Sequence, residues 1–174
     1  GNCVIQPPEI RHKVLYASDN IEVIEIGVPA EHVTTIDHDM ELPTKKFNPE
    51  REFKGQKFVH NKADNSTWSD FRIPGFKCRD TTIADNTKNV AGVQVVRPNG
   101  STTKPSKHDC DILFNFVMEG KMTLTASGQP SNDLTSGDAF VIPPDLSTEY
   151  SNLSKDLELL EVSLPGKFKT YYDA

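Results

Sequence analysis

Cysteine is scarce in this sequence. The 174 residues include three, Cys3, Cys78 and Cys110, with no CxxC spacing. That usage fits a reducing compartment better than a disulfide framework or a structural zinc site. No apolar run approaches the ~18 residues a membrane helix needs, and no secretory leader precedes the first strand-like segment. A cytoplasmic location is therefore expected. Positive charge is also in short supply: 19 Lys and Arg stand against 25 Asp and Glu, giving a formal charge of −6 and a pI near 5.3. The cations are scattered, so no basic stripe is available to meet a phosphate backbone or an anionic bilayer. Neither nucleic acid nor membrane is an expected partner.

Helical periodicity is the last absence. Apolar residues do not recur at helical spacing for more than a turn or two, while short β-branched and aromatic runs recur throughout, which indicates an all-β chain. The clearest strands are "VAGVQVV" (90–96), "ILFNFVM" (112–118), "KMTLTA" (121–126), "AFVI" (139–142) and "LELLEV" (157–162). Between them "RPNG", "EGK", "ASGQP" and "TSGD" place Gly where tight turns need positive φ. Residues 41–75 are polar and poorly periodic, and read as a connector with one short strand at 57–60.

The chain repeats itself. Residues 1–37 lie on residues 137–173 at a constant offset of 136 without a gap. Nine positions are identical: Gly1/Gly137, Pro7/Pro143, Pro8/Pro144, Ser18/Ser154, Glu22/Glu158, Glu25/Glu161, Pro29/Pro165, Thr34/Thr170 and Asp37/Asp173. The expected organisation is a partial repeat over 1–40, the connector over 41–75 and a full barrel over 76–174.

Two spaced motifs carry a family resemblance. Gly100 and Gly120 bracket "STTKPSKHDCDILFNFVME" at the length of the first cupin motif, and "GDAFVIPPDLSTEYSN", from Gly137 to Asn152, follows the second. The chain resembles the cupin superfamily, which implies a double-stranded β-helix, a jelly roll whose inward side chains line a pocket. The N-terminal copy then corresponds to the second part of a first cupin, as in a truncated bicupin, and is expected to add two or three strands.

In cupins, two His and a Glu of the first motif and a His of the second hold one Fe, Mn, Ni or Zn ion. The resemblance places Ser106, His108, Leu113 and Thr148 at those positions. Only His108 is retained, so no metal cofactor is expected. A divalent ion rebuilt on His108 and Cys110, with Asp109 or Asp111 as carboxylate, is the alternative, set against "HDCD" as a polar strand start whose cysteine packs as a small apolar group. Asn115 shares a strand face with Leu113, and Tyr150 with Thr148. The candidate ligand pocket is thus Ser106, His108, Cys110, Leu113, Asn115, Thr148 and Tyr150. His12 aligns with Thr148 but lacks co-ligands, and His32, His38 and His60 read as solvated.

Two functions stay open on these residues. One is a cupin barrel that binds a small organic ligand or serves in assembly. The other is a metal-dependent dioxygenase or isomerase of bicupin type, so enzymatic activity is undecided and no catalytic residue is assigned. A homodimer is expected, because the apolar strands of a partial repeat need a sheet to join. The identity of the ligand and of any substrate lies outside what these residues encode.

Overall fold

The structure, a computed structural model, describes residues 1–39, 41–100 and 103–172. Met40 at the edge of the first segment, and Asp173, the repeat partner of Asp37, lie outside the described residues with Ser101, Thr102 and Ala174. In chain order the strands are β1 (Cys3–Ile5), β2 (Glu52–Phe53), β3 (Gln56–Lys57), β4 (Val59–Asn61), β5 (Ser69–Asp70), β6 (Phe76–Asp80), β7 (Gly92–Pro98), β8 (Ser106–His108), β9 (Ile112–Glu119), β10 (Lys121–Ala126), β11 (Asn132–Thr135), β12 (Ala139–Ile142), β13 (Thr148–Ser151), β14 (Glu158–Leu164) and β15 (Thr170–Tyr172). One helical turn, α1 (Ile83–Asn86), links β6 to β7.

Two antiparallel sheets make the jelly roll. One runs β12-β9-β14-β7-β6-β5 and the other β11-β10-β13-β8-β15. Their inner faces meet in a core of Phe76, Cys78, Val96, Leu113, Val117, Ile142 and Leu159 from the first sheet with Met122 and Tyr150 from the second. Strand alternation produces this directly: in β9, Leu113, Asn115 and Val117 are buried while Phe114, Phe116 and Met118 are half-buried on the other side. The four turn glycines, Gly100, Gly120, Gly128 and Gly137, all have positive φ. Only Gly120 is also crowded, because a Cβ there would lie 2.7 Å from the Leu157 backbone.

The N-terminal repeat keeps its corners and lacks its sheet. The turn after the proline pair is the same in both copies. Ile10 N–H donates to the Pro7 carbonyl at 3.3 Å as Leu146 N–H does to Pro143 at 3.4 Å, and Glu9 and Asp145 both have positive φ, 65° and 62°. The next turn repeats too, with Ile21 N–H on the Ser18 carbonyl and Leu157 N–H on Ser154. Of the strands expected in 1–37, β1 forms, and it pairs with β4 of the connector rather than with the barrel. Residues 21–26, equivalent to the start of β14, form no strand. In the second copy β14 lies between β7 and β9, and the chain has one set of those flanking strands. Local hydrogen bonds survive without neighbours; a strand does not.

Arg79 joins this ribbon to the barrel. It lies opposite Val95 on the outer face of the larger sheet, is 3% exposed, and donates to the Asn61 carboxamide at 2.8 Å and to the Gly1 carbonyl. The strand expected at 57–60 is split between β3 and β4.

Candidate functional site

All seven residues of the expected pocket are buried. Alternation aims Ser106 and His108 of β8, Thr148 and Tyr150 of β13, and Leu113 and Asn115 of β9 at the barrel interior. Ser106 and Thr148 face each other across the β8–β13 pair, and Thr148 Oγ1 donates to the Ser106 carbonyl at 3.5 Å. Leu113 is wholly buried within the apolar core.

Cys110 serves the frame. Its thiol donates to the carbonyls of Ile112 at 2.9 Å and Leu164 at 3.0 Å, and burial pushes its pKa up, which keeps it a thiol. Neither neighbouring aspartate turns inward. Asp111 is exposed, and Asp109 accepts from the Lys169 N–H at 2.7 Å and the Tyr171 hydroxyl at 3.3 Å. The four exposed histidines, His12, His32, His38 and His60, take no part in the cluster.

The interior carries polar atoms without partners. His108 Nδ1 accepts the Cys110 N–H at 3.1 Å. Burial, and next the charge of Arg72, hold the imidazole pKa below its ordinary value. A neutral ring with its acceptor at Nδ1 must carry its proton on Nε2. That Nε2, the Asn115 Nδ2 and the Tyr150 hydroxyl are buried, and none has a hydrogen-bond partner. The Ile142 carbonyl is near enough to favour the ring proton slightly but does not reach hydrogen-bonding geometry at Nε2. Three such atoms in one interior are unusual, because an unpaired buried polar group costs roughly 1–3 kcal/mol.

An ion pair that motif reading missed stands among them. Glu161, 4% exposed, is bonded to Arg72 through both of its oxygens, with Arg72 Nε at 3.3 Å from Oε1 and Nη2 on Oε2. Burial works against the Arg72 charge, but the carboxylate more than offsets it and the guanidinium pKa ends above its ordinary value. Asn115 sits directly opposite Glu161 on the neighbouring strand. Arg72 also stacks between the rings of Phe71 and Phe168, at 4.9 and 5.0 Å, and the Phe168 ring meets His108 edge-on at 5.8 Å. Tyr150 packs edge-on against Phe76 and Phe140. Burial, and then Glu161, raise its phenol pKa well above the ordinary value, so it stays a hydroxyl. The available signal was one carboxylate in "LELLEV" at an inward period with Leu159. A cavity of about 90 Å³ is lined by Glu161, Phe168, Gln94 and Ser163 with Asp80, Asp85 and Lys167 among others, and by none of His108, Asn115 and Tyr150.

The four positions that hold metal in cupins supply here one imidazole nitrogen, two hydroxyls and an alkyl group. No carboxylate is among them, and Glu161 is engaged by Arg72. This donor set does not fit a divalent first-row ion, which needs several nitrogen or carboxylate ligands. Among the described residues no group of three or more His, Cys, Asp and Glu side chains is arranged to hold a metal ion, and no helix is long and apolar enough to cross a membrane.

Comparison with known proteins agrees with the geometry. Residues 92–163 match the family model described as the cupin domain, and no curated protein matches the sequence. Among solved structures, KdgF from Halomonas sp. is 20% identical with a TM-score of 0.52, over 61% of this chain and 94% of that one. The polyketide cyclase RemF from Streptomyces resistomycificus is 16% identical with a TM-score of 0.53, over 65% and 83%. An oxalate decarboxylase from Bacillus subtilis is 16% identical with a TM-score of 0.51; the match covers 63% of this chain and 30% of that chain. At these identities the likeness is one of fold. Residues 92–163 thus match the cupin-domain model, and the barrel built around them has the cupin jelly-roll fold.

Proposed function

We propose that this barrel is a metal-free binding protein for a small organic ligand, held among His108, Asn115 and Tyr150. The observation that carries the reading is the set of three buried, unpartnered polar atoms at inward positions of three strands. Apolar packing around them is complete enough to exclude bulk water, and a bound molecule supplies what the chain leaves open. Thr148 and Ser106 take the place of family histidines as part of the wall. The test is native mass spectrometry and metal analysis on protein purified without chelator. The expected result is an organic adduct released on unfolding. Stoichiometric Fe, Mn, Ni or Zn that is lost in His108→Ala would overturn the reading in favour of a metal-dependent enzyme.

Assembly is part of the same proposal. Ile21, Val23, Ile24 and Ile26 are 40–72% exposed, an apolar strip that pairing of two chains would cover, so the protein is a homodimer joined near its N-terminal repeat. Sedimentation of the full chain and of a version lacking residues 1–37 tests this. A well-behaved monomer in both cases contradicts it.

A further inference from the structure

We propose that the ligand is a short-chain carboxylate, its oxygens accepting from His108 Nε2–H, the Asn115 amide and the Tyr150 hydroxyl. This rests on the reading of the interior as a metal-free binding site. The three unpartnered groups share one property: each presents hydrogen. The Cys110 N–H on Nδ1 fixes the histidine as a donor at Nε2, an amide nitrogen is a donor only, and a phenol donates readily. The interior therefore calls for acceptors. A polyol or an amine brings hydrogens of its own, which would need acceptors in turn. The carboxylate facing this space, Glu161, is already bound by Arg72. Water has the same fault, since each molecule adds two donors. A carboxylate adds none, and its two oxygens offer about four acceptor sites.

Charge agrees. The Arg72–Glu161 pair is neutral as a unit, and at the His108 end the guanidinium is felt ahead of the carboxylate, which favours an anion there. The hydroxyl end, where Glu161 is felt ahead of Arg72, keeps Tyr150 protonated and donating.

The experiment is calorimetric titration of the full chain with sodium acetate and sodium pyruvate, with acetamide and glycerol as neutral probes at matched ionic strength. The carboxylates should bind at least about ten-fold more tightly than the neutral probes, and Tyr150→Phe, which keeps the ring against Phe76 and Phe140, should weaken them about ten-fold or more. Val141→Ala, an exposed site on β12, should leave binding unchanged. Acetamide binding as well as acetate, with the same loss in Tyr150→Phe, would overturn the carboxylate assignment and leave interior binding intact. Carboxylate binding indifferent to Tyr150→Phe and to Asn115→Ala would place the anion elsewhere and overturn the inference. If no probe binds and the purified protein carries no organic adduct, the inference and the function it rests on both fail.

Discussion

Replacing Arg72 with methionine is the sharpest structural test, because it strands a buried carboxylate. Glu161 keeps 4% of its side-chain surface exposed and Arg72 19%. Removing one partner of a fully buried pair costs ~3–5 kcal/mol, since the remaining charge is left without compensation. The residual exposure of Arg72 admits some screening, so the lower end of that range applies. Methionine keeps part of the packing against Phe71 and Phe168 but loses the hydrogen bond to Thr170. At ~2–4 °C per kcal/mol for a chain of this length, ~3 kcal/mol lowers the melting temperature by roughly 6–12 °C. The assay is thermal unfolding followed by circular dichroism. The double variant Arg72→Met/Glu161→Leu removes both charges and should regain most of the loss. A single variant that melts within ~2 °C of the parent, or a double variant in which the losses simply add, would refute the reasoning.

Three further outcomes are expected. Gly120→Ala and Gly128→Ala both put a side chain at positive φ, at a cost of about 1–2 kcal/mol each; only Gly120 also meets backbone at 2.7 Å, so chemical denaturation should show Gly120→Ala to be clearly the worse, and equal losses would contradict the crowding. Because the folded pKa of His108 lies below its ordinary 6.5, the unfolded chain binds more protons in that interval. Stability is full above about pH 6.5 and declines as pH falls until the folded pKa is passed; urea titrations from pH 7 to pH 5 should show a shallower decline in His108→Gln, and an unchanged slope would count against a buried neutral imidazole. Finally, Cys78 and Cys110 are buried with pKa values raised by that burial, so a thiol reagent should label them only on unfolding; rapid labelling of native Cys110 would show that its thiol is not held as described.

The barrel was legible because its signals are local. Gly at the four turns and alternation in "ILFNFVM" and "LELLEV" fix strands, turns and faces together, and the two cupin motifs fix which faces look inward. The same alternation puts Asn115 and Tyr150 on the buried faces of β9 and β13. Arg72 and Glu161 were hidden for a physical reason: they are 89 residues apart, and an arginine in "DFRIPGF" has no periodic neighbours to reveal its direction. Cys110 shows the opposite limit. Its side of the chain was readable, but one of the carbonyls that claim its thiol, that of Leu164, comes from the far end of β14, 54 residues away and beyond any sequence pattern. The N-terminal repeat divides along the same line, with turns set by neighbours in sequence and strands that require neighbours in space.

Arg72 also has a bearing on how the barrel closes. Besides Glu161 it meets the Thr170 hydroxyl, and its carbonyl accepts from Tyr172, contacts spanning 98 and 100 residues. Pairings over such distances form late, after the entropy of a long loop has been spent. During synthesis Arg72 leaves the ribosome long before β15 exists. The barrel interior therefore stays accessible to solvent until the strands from β14 onward are made and β15 docks.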